Sequence, residues 1–363
     1  MTLVGFNGRN QRLPSPLLLL SLLVALSPGA CTGEPGTPQP QRTSETLSTL
    51  TAPVADHHMH IWSESAVAAL LRIQEVVGQR LVDEGDGALT ATEAVAALDS
   101  ADIETGVVVS VAYFFSFPEL EIPDAEKRMR EENDWVAAQV ARHPDRLVGF
   151  CAVNPLVDFA PAEVDRCAEL PGIVGIKLHF ANSDADLRDD DHLERLAGLF
   201  GRGDTLGLAF LVHMRTRAPD YGGVDVERFV EAVLPRAPNV PIQIAHLGGW
   251  GGFDEPTAAA VAAFARLLDE AEVDPNGRLF FDIAATAVPP ERAGGDSELL
   301  AQVEEINRGV ADAVRALGVE RILFGSDWSA MSLPGSVSTL RTHLPLDEGE
   351  RARIMGARAP YLP

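Results

Sequence analysis

The chain has 363 residues, 46% of them hydrophobic, and a formal net charge of −24. That acidity excludes nucleic acid as a partner and an electrostatic grip on anionic lipid. Of 29 basic side chains only Lys127 and Lys177 are lysines, and Lys177 stands inside an apolar run where a surface charge has no place.

Residues 1–30 read as a targeting segment. Arg9 and Arg12 give a positive start, Leu17 to Leu26 the apolar stretch, and Pro28-Gly29-Ala30 a small-residue exit before Cys31. About ten apolar residues are too few for a membrane span, which needs ~20, but fit a secretory signal. The Gly-Ala-Cys ending resembles the bacterial lipoprotein signal, in which the cysteine is lipidated and becomes the first mature residue; Pro28 departs from that pattern. The expectation is an exported cell-envelope lipoprotein that meets the membrane only through a lipid on Cys31. Residues 31–51 are rich in Pro, Thr, Ser and Gly, hold almost no large apolar side chains, and read as a flexible tether.

From residue 52 to 363 apolar strand-like runs alternate with helical ones. The strands are expected at 53–61, 104–112, 147–153, 173–179, 207–213, 240–246, 278–284 and 320–326. Helical patterns lie between them at 65–80, 91–100, 124–142, 161–169, 190–204, 225–235, 254–273 and 298–317, with a closing helix near 348–357. The run 124–142 sets Met129, Trp135, Val136 and Val140 at helical spacing behind an acidic start. Runs such as AFLVH and IQIAH are apolar on both faces, as parallel strands buried on both sides are. Eight strands each followed by a helix predict an α/β fold, the (β/α)8 TIM barrel, whose site is built at the carboxyl ends of the strands. Cys151 in a strand and Cys167 on a helix read as two buried free thiols rather than a disulfide.

Six residues fall at those strand ends: His58 and His60, Lys177, His213, His246 and Asp327. Residues two apart on a strand point the same way, so His58 and His60 share a face. Several neutral imidazoles and a carboxylate with room for water are what a catalytic zinc-type ion requires. Asp56 is placed to orient a ligand imidazole or to join a core ion pair, and Asp282 to support a ligand or touch substrate. Arg215 and His179 follow strand-end residues by two, where Arg215 would hold a substrate carboxylate or simply meet solvent. Trp250 in the run Gly248 to Gly252, and Tyr113, Phe114, Phe115 and Phe117, read as walls for a ring-bearing substrate or as rim packing.

The HxH pair, GIKLH, the histidines of LVH and IAH, and GSDW, taken in order, resemble the amidohydrolase superfamily. The nearer resemblance is to its amidohydrolase-related branch, which includes aminocarboxymuconate-semialdehyde decarboxylase and aromatic-acid decarboxylases; it covers residues 53–361. The resemblance implies that His58, His60, His213 and Asp327 hold a divalent metal, zinc by expectation, with His246 beside it. One ion is favoured. Two are the alternative, bridged by a carbamylated Lys177; with one ion Lys177 stays cationic and pairs with a substrate carboxylate or an acid such as Asp282. The expected function is hydrolysis of a small ester, lactone or amide, with Asp327 as general base and His246 donating to the oxyanion. Nonoxidative decarboxylation is the second reading, and a binding lipoprotein without chemistry the third. The only partner expected is a small-molecule substrate, with self-association left open.

Overall fold

The computed structural model describes residues 51–78, 82–83, 85–270 and 273–363. The predicted leader, Cys31 and the tether as far as residue 50 lie outside the described residues. The strands are β1 (Ala55–His60), β2 (Thr105–Val109), β3 (Leu147–Ala152), β4 (Ile173–His179), β5 (Ala209–His213), β6 (Ile242–Ile244), β7 (Leu279–Asp282) and β8 (Ile322–Leu323). They form one parallel sheet in chain order. β8 returns to β1 through the His57 amide on the Phe324 carbonyl at 2.9 Å and the Asp327 amide on the His58 carbonyl at 2.8 Å. The predicted TIM barrel is therefore the observed fold.

Helices α1 (Glu64–Val77), α2 (Ala91–Ser100), α3 (Ala125–Val140), α4 (Ala160–Ala168), α5 (Asp190–Leu206), α6 (Gly223–Ala232), α7 (Glu255–Leu268) and α8 (Ser297–Leu317) fall between the strands, and α10 (Glu348–Gly356) follows β8. An additional helix, α9 (Leu333–Thr342), occupies LPGSVSTLRT, a stretch to which the sequence reading gave no element. Pro is tolerated in a first turn, where its missing N–H has no partner anyway. The Ser332 side chain caps the Gly335 amide, and Leu333, Val337 and Leu340 bury the inner face.

Inward side chains of the strands, among them Ala55, Val107, Val109, Phe150 and Leu211, fill the lower barrel. Outward ones such as Met59, Val108, Ile176 and Phe210 pack beneath the helices. Ala55 facing inward would send His58 outward in an unbroken alternation. The pairing of β1 with β2 slips between Asp56 and Met59. This irregularity resets the parity and brings His58 to the interior.

Cys151 on β3 and Cys167 on α4 form a disulfide across a Cα separation of 6.3 Å, which corrects the expectation of free thiols. Both are fully buried, one on the outer face of the strand and one on the inner face of the helix that covers it. A strand–helix contact brings them to bridging distance. Sixteen residues of sequence separation concealed it.

Candidate active site

The predicted positions meet at the carboxyl end of the barrel, but the strands stop short of two of them. β6 ends at Ile244 and β8 at Leu323, so His246 and Asp327 stand in the turns beyond. Both have positive φ, 55° and 60°, a conformation uncommon outside glycine. Such residues cluster where surrounding structure holds a functional side chain in place. Gly325 permits the approach behind them: a Cβ there would lie 2.9 Å from that of His58.

At the centre, the Asp327 Oδ1 is 3.1 Å from His60 Nε2 and 3.8 Å from His58 Nε2. The His58 ring also lies 4.9 Å from that of His246. The three donors of His58, His60 and Asp327 fall within 4.8 Å of one another, as do those of His58, His246 and Asp282. His213 belongs to neither group. Its ring is 5.2 Å from His246 and stacks on His179 at 3.8 Å, so the fourth expected ligand stands to one side of the other three.

Asp282 lies behind His58. Its Oδ2 accepts from His58 Nδ1 at 3.1 Å and Gln243 Nε2 at 2.6 Å, and its Oδ1 from the amides of His246 at 2.8 Å and Ala284 at 3.1 Å. Four donors occupy the carboxylate, which therefore supports ligands rather than acting as one. Burial would raise its pKa, but His58 and His246 pull it below the usual carboxylate range. Because a carboxylate only accepts, His58 carries its proton on Nδ1 and turns the Nε2 lone pair into the site. The same reasoning applies to His246, whose Nδ1 donates to the Ala284 carbonyl at 2.8 Å. Its Nε2 is then a lone pair in the neutral ring, and the expected donation to an oxyanion requires the imidazolium.

Lys177 is fully buried, and its Nζ lies 3.1 Å from His58 Nε2. Burial lowers its pKa to about 8, against the opposing pull of Asp282 and Asp327. The expected pairing with Asp282 is absent, since the four N–H groups already fill that carboxylate. Arg215 is likewise committed: its guanidinium contacts both Asp254 oxygens at 3.1 Å and lies over the Tyr221 ring. This pair steadies the start of α7, where Asp254 is the cap. The contact uses Nη1 alone, so Asp254 fixes where the guanidinium points without occupying its Nε and Nη2. Asp56 also departs from expectation. Its Oδ1 accepts the amides of His58 and Ser326, both at 3.0 Å, so it clamps the backbone of β1 to the segment after β8 rather than an imidazole.

Burial lowers the pKa of His58 to about 3, with Lys177 as the second cause, and lowers those of His60 and His213. Asp327 is pushed up by burial but held well below the carboxylate range by His60 and the neighbouring histidines. The donor set is thus neutral imidazoles and an ionised carboxylate. The buried Nδ1 atoms of His60 and His213 have no hydrogen-bond partner. The Nε2 atoms of His58 and His60 face the ionised Asp327 Oδ1 and bring three ligand atoms to one point. These residues fit a divalent cation.

One wall is aromatic. Tyr113 is 5.2 Å from the His179 ring, and Trp250, 42% exposed at the mouth, lies 4.9 Å from His213 and 5.6 Å from His179. The His179 Nδ1 accepts the Asn182 amide at 3.3 Å, which puts the proton of its neutral ring on Nε2. Gln243 and Tyr361 were not anticipated. Gln243 had a signal, an amide inside the apolar run IQIAH, where a polar group needs a partner.

Residues 55–358 match the amidohydrolase family model. The chain belongs to the amidohydrolase family. No curated protein matches the sequence. Among solved structures, this amidohydrolase is similar to 5-carboxyvanillate decarboxylase from Sphingomonas paucimobilis, at 18% identity and TM-score 0.53, over 84% of this chain and 97% of that one. It is similar to 5-carboxyvanillate decarboxylase from Novosphingobium aromaticivorans complexed with manganese and 4-hydroxy-3-methoxy-5-nitrobenzoic acid, at 12% identity and TM-score 0.54, over 84% and 94%. It is also similar to a probable 2-pyrone-4,6-dicarboxylic acid hydrolase from Acinetobacter baumannii with citric acid bound, at 17% identity and TM-score 0.50, over 83% and 96%. At these identities the likeness is one of fold. The amidohydrolase is an enzyme of this superfamily, with residues able to hold a metal.

Proposed function

We propose that this amidohydrolase is a metal-dependent hydrolase of a small, ring-bearing ester, lactone or amide, working outside the cytoplasm. The observation that carries the reading is the Asp327 carboxylate facing two imidazole nitrogens beneath an aromatic wall. His58, His60 and Asp327 would hold one divalent ion, zinc by the nitrogen-rich donor set, with His213 the fourth candidate. A bound ion supplies Lewis acidity toward a carbonyl oxygen and toward water. The residues supply the rest. Tyr113, His179 and Trp250 stack against the ring and exclude water, and Asp327 takes the proton from the attacking water on a carboxylate oxygen. The proton held by Asp327 then passes to the leaving group, and His246 Nε2 lies beside the reacting centre.

Decarboxylation is a second reading with its own support. Two of the similar structures above are decarboxylases of an aromatic acid, and the buried Lys177 amine would offer charge to a carboxylate. Export is supported by the leader-like sequence and by the disulfide, since such bonds persist in oxidising compartments.

Elemental analysis of the purified protein, then a panel of aryl esters, lactones, amides and aromatic acids, tests these readings. One divalent ion and hydrolysis are expected. Asp327→Asn should keep the ion and lose about 10²–10⁴-fold in kcat, the usual worth of a general base. Carbon dioxide release from the acids without hydrolysis would establish the second reading, and a metal-free protein inert to the panel would overturn both. The same preparation should come from the membrane fraction with lipid on Cys31; a cytoplasmic product retaining residues 1–30 would refute export.

A further inference from the structure

The floor of the barrel contains a chain of hydrogen bonds that ends at the candidate ligand His58. It begins with Tyr361, in the segment after α10, whose hydroxyl donates to Gln243 Oε1 on β6. The Gln243 Nε2 donates to Asp282 Oδ2 at 2.6 Å and to the His57 carbonyl at 3.2 Å. Asp282 in turn accepts His58 Nδ1 at 3.1 Å. Each link has one sense only. Asp282 and the His57 carbonyl both accept, so the amide of Gln243 must point its nitrogen at them and its oxygen at Tyr361. A reversed amide would oppose oxygen to oxygen at two buried contacts, a costly arrangement. A neutral Tyr361 hydroxyl is the donor that this oxygen needs.

The segment is held by more than this bond. The Ala359 amide donates to His57 Nε2 at 3.2 Å, while His57 Nδ1 donates to the Phe324 carbonyl at 2.9 Å. The Tyr361 ring meets Phe150 edge-on at 5.2 Å, and Leu362 packs among the inward side chains. Tyr361 is thus fixed in position, and the direction it imposes passes along a fully buried path to β7 and β1.

We infer that Tyr361 is a positioning residue for the metal site, acting through Gln243 and Asp282 to fix the tautomer and orientation of His58. This deepens the metal-dependent reading and rests on it. Partners of a ligating histidine commonly contribute 10–100-fold to metal affinity. Tyr361 acts two steps behind, so the lower end of that range applies.

The test is the zinc dissociation constant, measured by chelator competition for the wild type, Tyr361→Phe, Gln243→Met and the double variant, with thermal midpoints alongside. Tyr361→Phe removes one oxygen and keeps the ring packing. Each single variant should weaken zinc binding about 10-fold. The double should be no weaker than the weaker single, because both break one path; independent packing losses would add. Should Tyr361→Phe fail to fold, the inference stands or falls on Gln243→Met and on the ¹⁵N shifts of His58, which report loss of the Nδ1–H tautomer. Single variants that bind zinc within twofold of the wild type, or losses that add in the double, would overturn the inference. A wild type that binds no zinc overturns instead the proposed function beneath it.

Discussion

Lys177 is where the one-ion and two-ion arrangements part. Its amine faces the same His58 lone pair that an ion would take, and like charges cannot share it. With one ion, Lys177→Met removes a repulsive neighbour, so both wild type and variant should hold one equivalent by elemental analysis. Two equivalents in the wild type, falling in the variant, would make Lys177 the carbamate bridge. The residues legible in the sequence were those whose chemistry and place coincide: His58, His60 and Asp327 stood at the ends of apolar runs, and the fold brings them together. Arg215 looked equally well placed, but its direction was set by Asp254, thirty-nine residues later. Tyr361 gave no signal at all, since a tyrosine near a closing helix reads as ordinary packing.

At the scale of elements, strand order and number were legible because burial on both faces leaves continuous apolar runs. Strand ends were less so. β6 and β8 end at Ile244 and Leu323, and the left-handed backbone of His246 and Asp327 beyond them is something apolarity does not reveal. The slip in β1 is hidden for a related reason: it changes which way ADHHMH faces without changing its composition. The approach of the GSDW turn to β1 yields a prediction. In Gly325→Ala the new Cβ would meet those of His58 at 2.9 Å and Ala284 at 3.2 Å. Overpacking of this kind costs about 1–3 kcal/mol. The urea midpoint should fall and zinc binding weaken with it. An unchanged midpoint would mean that the two backbones part easily, and that Gly325 is not what seats His58.

For the whole molecule, the candidate site lies on the joint where the barrel shuts. β4 and β5 share five paired positions, β7 and β8 only two, and β8 reaches β1 through a few hydrogen bonds and the bridge of Met59 to Trp328. His58 and His60 stand on one side of that joint and Asp327 on the other. An ion gripping all three would act as a rivet across the seam, fastening together parts of the chain 267 residues apart in the link from His57 to Phe324. Local opening is expected where pairing is thinnest. Stripping the ion should therefore speed amide hydrogen exchange at His57 and Asp327 well before it does so in β3 and β4. Equal protection with and without the ion would mean that the seam closes by itself. If the rivet holds, the same atoms that organise the chemistry also keep the cylinder shut, and a chelator would open it along one line.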